Sequence, residues 1–208
     1  VIVLSEPVHR KSWIVVAEKY GFTCTDQFLE SGIGSTDEAL CVDLAKDWQS
    51  GYPKHQTLSA EQILAEKRAA YEQLIADHAE LVPGVLDWIN HLWQKSIPCA
   101  VATSSHASDI APVVEKYHLK KFIKFFATVE SIQNPKPAPD IYLLAAKELH
   151  KQPQQCLVFE DSPIGIKAAQ TAGSKVIALE TSFTKKDLPA TDLVIANYEQ
   201  LNFSDFFA

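Results

Sequence analysis

The spacing of hydrophobic positions divides the chain into two parts, and the first part has a helical pattern. Over residues 8–20, apolar side chains recur at the spacing of one face of an α-helix. Further helices are predicted over about 36–48 and 59–80, and Ser59 and Gln62 have the spacing of a capping box at the start of the last one. No strand is predicted here, so this part should form a helical module.

The second part starts after Pro83-Gly84 and alternates helical segments with short apolar runs. Short apolar runs separated by helices are typical of parallel strands that are covered on both faces. The pattern therefore predicts an α/β fold with a doubly wound, Rossmann-like parallel sheet. The predicted strands are 97–102, 124–129, 156–159, 175–179 and 192–195, and the predicted helices are 85–95, 107–117, 139–149 and one after Phe159.

Composition excludes several classes of protein. Hydrophobic residues make up 47% of the 208 residues, which is enough for a substantial core. The formal net charge of −7 argues against a nucleic-acid partner, because such a surface needs a basic patch. No apolar run reaches the roughly 18 residues that a membrane span needs. The four cysteines show no C-x-x-C spacing, so neither a zinc site nor a disulfide framework is expected. This use of cysteine is consistent with a protein of the reducing cytoplasm.

Two adjacent acids, Glu160 and Asp161, stand where the apolar run 156–159 ends. Open α/β folds bind ligands at the carboxyl ends of their strands, and carboxylate oxygens are the ligands that Mg²⁺ takes. The alternative is helix capping, since Ser162 suits the N-cap and Pro163 the first helical position. Capping does not require two acids, so the pair predicts a metal site.

Two further polar groups follow other strands of the predicted sheet. Thr103, Ser104 and Ser105 come after the strand 97–102, and Lys136 lies between two prolines in the loop after the next strand. The hydroxyls could instead cap the following helix, and a loop lysine could be solvated. Because the carboxyl ends of parallel strands share one edge, we expect these groups to converge with the acids. Hydroxyls, an ammonium group and paired carboxylates together predict a site for a phosphate and a metal.

These segments resemble the motifs of a known family. Thr103-Ser-Ser105, Lys136-Pro-Ala-Pro-Asp140 and Phe159-Glu-Asp-Ser-Pro-x-Gly-Ile-x-Ala-Ala169 are similar to motifs two, three and four of the haloacid dehalogenase-like hydrolases. The branch that the sequence resembles is that of the β-phosphoglucomutase-like phosphatases, which carry a helical cap. Leu81-Val-Pro-Gly-Val85 is similar to the return from cap to core. The resemblance implies a core that starts in 1–7, an inserted helical cap domain over 8–80, and the α/β hydrolase core over 81–208.

The resemblance also implies roles for individual residues. Thr103 would hydrogen-bond the phosphate with Ser104 and Ser105 beside it, and Lys136 would neutralise the phosphate and the nucleophile. Thr103 and Lys136 are therefore the catalytic candidates that the sequence contains. Asp161 would bind Mg²⁺, and Glu160 would support the metal directly or through water.

The implied cap adds two candidate substrate-binding residues. Lys67 matches a position that can reach a substrate phosphate, although an exposed helix lysine is an equal alternative. Ser35 lies in the cap loop Ser31–Asp37, where mutases of this branch place cationic residues. That loop contains no Lys or Arg, which makes a mutase the less favoured interpretation.

The family's first motif is Asp-x-Asp-Gly, whose first Asp is the nucleophile and whose second Asp is the general acid/base. It would stand just before Val1, at the end of the first core strand, and no other acidic pair in the sequence replaces it. We expect the polypeptide to extend upstream and to carry this motif. A non-catalytic pseudoenzyme that binds phosphate is the alternative.

The resemblance thus implies a Mg²⁺-dependent phosphatase that acts on a small phosphorylated metabolite through an aspartyl-phosphate. A sugar-phosphate mutase and the phosphate-binding pseudoenzyme are the alternatives. We expect a cytoplasmic monomer without nucleic-acid or membrane partners.

Overall fold

The computed structural model describes residues 1–21, 23–31, 37, 40–42, 44 and 59–206. The chain divides into two compact units. The helical unit comprises Ser5–Ala79, and the α/β unit comprises Val1–Leu4 with Glu80–Ala208.

The helices whose full bounds lie in the described part of the helical unit are α1 (Glu6–Lys19), α2 (Asp26–Ser31) and α3 (Ala60–His78). The predicted capping box opens α3: Gln62 N–H donates to Ser59 Oγ at 3.3 Å, and Ser59 N–H donates to Gln62 Oε1 at 2.9 Å. Most of the helix predicted over 36–48 lies outside the described residues, and those within it that are described are helical.

The core of the helical unit forms where the apolar faces of its helices meet. Trp13 of α1 and Ile63 of α3 are buried there, and Trp13 packs edge-on against Phe28 with ring centroids 5.6 Å apart. The cluster also contains Leu29, Leu40, Cys41 and Leu44. Trp13 therefore belongs to the core of the helical unit.

The α/β unit confirms the predicted alternation, with boundaries that differ by one or two residues. Its strands are β1 (Val3–Leu4), β2 (Glu80–Leu81), β3 (Cys99–Ala102), β4 (Ile123–Ala127), β5 (Leu157–Glu160), β6 (Lys175–Leu179) and β7 (Leu193–Ile195). Its α-helices are α4 (Val85–Gln94), α5 (Ala107–Lys116), α6 (Asp140–Glu148) and α7 (Pro163–Ala172).

The last five strands are parallel, as predicted, but they form two sheets rather than one. β3 pairs with β4, and β5, β6 and β7 pair in that order. A cavity of about 300 Å³, lined by residues of both β3 and β5, lies between the two sheets. Within the described residues, no hydrogen-bonded ladder joins β3 to β5.

The short strands β1 and β2 were not predicted. They pair antiparallel, with Val3 opposite Leu81 and Leu4 opposite Glu80. A two-residue strand is too short to show the alternation from which strands are predicted.

Local signals explain the helix that follows β5. Ser162 caps α7 by accepting a hydrogen bond from Gly165 N–H at 3.1 Å, Pro163 occupies the first turn, and Gly173 ends the helix with a φ of 90°. The alanine-rich face of α7 is buried with residues of α6 and β6 in the main core cluster. This packing fixes the carboxyl end of β5, where the predicted site lies.

Two general expectations can be compared with the fold. All four cysteines are free thiols, and Cys99 and Cys156 are half-buried. Within the part of the chain that the structure describes, no helix is both long enough and apolar enough to cross a membrane.

Candidate active site

The loop after β3 is held against the end of β4. Thr103 N–H donates to the Ala127 carbonyl at 2.9 Å, and Val129 N–H donates to the Ser105 carbonyl at 3.3 Å. Thr103 Oγ1 accepts from Ser105 N–H at 3.1 Å. Because that oxygen serves as an acceptor inside the loop, its own O–H can be donated to a ligand.

The hydroxyls of this loop do not cap α5, so the capping alternative is wrong. The residue that precedes α5 is His106, whose N–H donates to Asp109 Oδ2 at 3.1 Å. The His106 ring is held in turn by Glu130, with Nδ1 2.7 Å from Oε1. Glu130 has a pKa lowered to about 2, first by its hydrogen bond with the Thr128 side chain and, more weakly, by those with His106 and Ala107.

Lys136 joins the carboxyl ends of β3 and β5. Its ammonium donates to the Ala102 carbonyl at 3.3 Å and to Glu160 Oε1 at 2.5 Å. Its side chain is only 7% exposed, so the interpretation as a solvated loop lysine is wrong. The structure thus brings together the loop after β3, the loop after β4 and the acid at the end of β5.

Both carboxylate oxygens of Glu160 are occupied by hydrogen bonds. Oε1 accepts from Lys136 Nζ and from Tyr142 Oη, each at 2.5 Å. Oε2 accepts from Asp161 N–H at 2.9 Å, from Ser162 N–H at 3.2 Å and from Ser162 Oγ at 3.1 Å. Burial alone would raise the pKa of Glu160, but the charge of Lys136 and these hydrogen bonds outweigh it and lower the pKa to about 2.

A close approach of the backbone keeps Glu160 in this place. A Cβ atom built on Gly165, in the first turn of α7, would lie 2.1 Å from Glu160 Oε1. A glycine is therefore required there because the Glu160 carboxylate occupies the space that a side chain would need.

Asp161 has surroundings different from those of Glu160. Its Oδ2 accepts hydrogen bonds from Thr181 Oγ1 at 2.7 Å and from Ser182 Oγ at 3.2 Å, both in the segment after β6. These two hydroxyls orient the carboxylate, and none of the described residues forms a hydrogen bond with Oδ1.

The donor set fits a hard cation at Asp161 better than at Glu160. Asp161 offers a carboxylate oxygen at the edge of the sheet, whereas five hydrogen bonds already occupy Glu160. Within the described ranges, no three or more His, Cys, Asp or Glu side chains cluster closely enough to hold a metal by themselves. Direct binding of a metal by Asp161, with Glu160 acting indirectly, stays a prediction.

Lys67, in the helical unit, is buried rather than exposed. Its side chain is 1% exposed, and its ammonium lies 2.5 Å from Asp37 Oδ2 and 2.8 Å from His9 Nδ1. Nζ also lies 5.1 Å from the ring centroid of Tyr71, which stacks on His9. Burial first, and then the Lys67 charge, lower the pKa of His9 to about 4, although Asp37 partly opposes this shift.

The sequence did not identify several residues of the site, and one predicted residue lies outside the described part of the chain. Sequence reasoning did not single out Tyr142, Thr181, Ser182 or His9 as site residues. Tyr142 follows closely after the motif that ends at Asp140, and this proximity was the one available signal. Ser35 lies outside the described residues, so its predicted role in substrate binding stays a prediction.

The family model for haloacid dehalogenase-like hydrolases matches residues 1–179. The chain belongs to this family. The resemblance that the motifs carry is therefore confirmed, and with it the α/β hydrolase fold.

Two relatives with assigned names are phosphatases. The chain is 29% identical over 173 residues to fructose-1-phosphate phosphatase YqaB of Escherichia coli, covering 83% of this chain and 88% of that protein. It is 28% identical over 181 residues to a phosphorylated carbohydrates phosphatase of Thermotoga maritima, covering 83% and 77%. Together with the family match, these relatives show an enzyme of the phosphatase kind.

A solved structure extends the comparison of the fold. A β-phosphoglucomutase of Clostridium difficile aligns with a TM-score of 0.78 at 23% identity, covering 99% of this chain and 90% of that one. At this identity the likeness concerns the fold alone.

Proposed function

We propose that this enzyme is a Mg²⁺-dependent phosphatase for a small phosphorylated metabolite, such as a sugar phosphate. The observation that carries the proposal is the position of Lys136, whose buried ammonium joins the ends of β3 and β5 beside the hydroxyl loop. An ammonium group and hydroxyl donors at one sheet edge suit the oxygens of a phosphate monoester.

Each residue of this edge then has a defined task. Thr103 donates its O–H to a phosphate oxygen, Ser104 and Ser105 line the same loop, and Lys136 balances the negative charge. Asp161 would hold Mg²⁺, which supplies charge stabilisation for the phosphoryl oxygens when it is bound. The helical unit would serve as the cap. The substrate-binding roles of Lys67 and Ser35 stay predictions, and in this structure Lys67 is buried against Asp37 and His9.

The proposed nucleophile is the first aspartate of the family's Asp-x-Asp-Gly motif. Attack of that aspartate on phosphorus would break the ester P–O bond and give an aspartyl-phosphate, while the alcohol leaves with a proton from the general acid. Water would then hydrolyse the aspartyl-phosphate to inorganic phosphate and restore the aspartate.

The test is phosphate release by the full chain from a panel of sugar phosphates that includes fructose 1-phosphate, with and without Mg²⁺. We expect turnover that requires Mg²⁺ and that falls about 100-fold or more in Lys136→Ala. Lys147→Ala, which alters an exposed lysine of α6, is the matched control and should keep full activity. Absence of phosphate release from every ester would contradict the proposal.

Two other outcomes of the same test identify the alternatives. Movement of phosphate within a hexose, without net release, would indicate a mutase. An ester that raises the melting temperature without being hydrolysed would indicate a phosphate-binding pseudoenzyme.

The acidic net charge and the four free cysteines support the remaining parts of the proposal, a cytoplasmic enzyme without a nucleic-acid partner. A monomeric state stays a prediction.

A further inference from the structure

Tyr142 lies in the first turn of α6, and its hydroxyl is aimed at the centre of the site rather than at solvent. The residue is only 6% exposed, and Oη donates to Glu160 Oε1 at 2.5 Å. A hydrogen bond from a buried phenol to a carboxylate is strong, because water does not compete for either group.

The same tyrosine also contacts Lys136. Lys136 Nζ lies 5.0 Å from the centroid of the Tyr142 ring, within the range of a cation–π contact. Tyr142 therefore contacts both members of the ion pair: its hydroxyl donates a hydrogen bond to Glu160, and its ring forms the cation–π contact with the Lys136 ammonium.

The two oxygens of Glu160 are held by different parts of the structure. Oε2 is fixed by the turn that follows β5, through Asp161 N–H and both donors of Ser162. Oε1 is the oxygen that faces Lys136, and Tyr142 provides the other hydrogen bond to it. The orientation of Oε1, which accepts the hydrogen bond from Lys136, thus depends on Tyr142.

Lysine is a flexible side chain that loses much rotamer freedom when it is held in place. We infer that Tyr142 is a positioning residue, which fixes Glu160 Oε1 and through it the Lys136 ammonium at the carboxyl end of β3. The inference rests on the proposed function in one respect, namely that Lys136 acts on the substrate phosphate.

Tyr142 also packs in the core cluster with Ile141 and Ile166, so a role in packing has to be separated from positioning. Tyr142→Phe makes this separation because it keeps the ring, the packing and the cation–π contact while it removes the hydroxyl. Tyr117→Phe removes the hydroxyl of a half-buried tyrosine at the end of α5 and is the matched control.

The kinetic test measures kcat and KM for phosphate release by the full chain. In Tyr142→Phe we expect kcat to fall about ten-fold with KM within about two-fold, as for loss of one hydrogen bond to a charged group. Tyr117→Phe should keep the wild-type values. An unchanged kcat in Tyr142→Phe would overturn the inference.

A double-mutant cycle with Glu160→Gln tests whether the tyrosine acts through the carboxylate. If it does, adding Tyr142→Phe to Glu160→Gln lowers kcat by less than about two-fold further. A full ten-fold loss on the Glu160→Gln background would show that Tyr142 acts by packing or by another route, and the inference would be wrong.

A crystal structure of Tyr142→Phe separates this inference from the proposed function, because it needs no activity. We expect Lys136 Nζ to leave its contact with the Ala102 carbonyl while the ring at position 142 stays in place. An unmoved ammonium group would overturn the inference, even if the wild-type enzyme hydrolyses phosphate esters. Inactivity of the wild type towards every ester would contradict the proposed function, and the structure would still decide whether Tyr142 positions Lys136.

Discussion

Lys136 Nζ lies 2.5 Å from Glu160 Oε1, and the two side chains are only 7% and 5% exposed. Removing two charges from water is costly, so such a pair is retained only where hydrogen bonds satisfy both groups. Glu160 meets this condition through Tyr142 and the turn at Ser162, and Lys136 meets it through the Ala102 carbonyl. The acid at the end of β5 thus holds the lysine in place.

Glu160→Gln should destabilise the protein, because it leaves the Lys136 ammonium buried without a counter-charge. We expect the free energy of unfolding to fall by about 3 kcal/mol, measured by urea denaturation at pH 7. The control is the double variant Lys136→Met with Glu160→Gln, which removes both charges and should lose less stability than Glu160→Gln alone. Equal losses in the two variants would show that the ion pair is not what stabilises this region.

Gly165→Ala tests the close approach of α7 to the Glu160 carboxylate. The added Cβ would lie 2.1 Å from Oε1 and 2.2 Å from Cδ of Glu160, so the carboxylate has to move. We expect a loss of about 1–3 kcal/mol in the free energy of unfolding, as for other overpacked sites. In a Glu160→Ala background the same substitution should cost much less. A cost that is unchanged in that background would show that the clash involves another group.

The sequence was sufficient to predict the five parallel strands and to single out candidate residues at their carboxyl ends. Each candidate stands where an apolar run ends or in the loop that follows it. The chain direction places such positions at one edge of a parallel sheet, and this is how the sequence identified Thr103, Lys136, Glu160 and Asp161. The longer helices were found from their periodicity. The helix α2 was missed because six residues are too few to show a period.

The division of tasks between the two acids could not be predicted from the sequence. Adjacent carboxylates look alike in sequence, and their difference arises from residues far along the chain. Tyr142 comes from α6 to meet Glu160, whereas Thr181 comes from the segment after β6 to meet Asp161. A tyrosine in a helix and a threonine in a loop carry no local signal that they will meet a buried acid, because the contact depends on tertiary packing.

Thr181→Val should weaken the response to Mg²⁺, because the Thr181 hydroxyl orients Asp161 through a hydrogen bond of 2.7 Å. Loss of a group that orients a metal ligand lowers metal affinity by about 10–100-fold. We therefore expect the Mg²⁺ concentration for half-maximal phosphate release to rise about ten-fold or more, measured by titration at saturating ester.

Thr184→Val is a closely matched control for that experiment. The Thr184 hydroxyl also donates to an aspartate at 2.7 Å, but that pair, with Asp187, is exposed and lies outside the site. It should leave the Mg²⁺ response unchanged. Equal shifts in the two variants would contradict a metal at Asp161.

His9 should make the stability of the protein dependent on pH between about 4 and 6.5. Its pKa is lowered from 6.5 to about 4 in the folded state, first by burial and then by the Lys67 charge. Between these two pKa values the unfolded chain binds a proton that the folded chain does not. The stabilisation is therefore fully present above about pH 6.5 and is lost as the pH falls towards 4, by an amount on the order of 2–3 kcal/mol.

The measurement is the urea midpoint of unfolding at pH 7 and at pH 4.5. His9→Gln should flatten the pH dependence of the midpoint in this window, because glutamine does not titrate. His78→Gln, which replaces an exposed histidine of the same helical unit, should keep the wild-type dependence. A His9→Gln protein that still loses as much stability as the wild type on acidification would show that other groups, and not the buried imidazole beside Lys67, cause the loss.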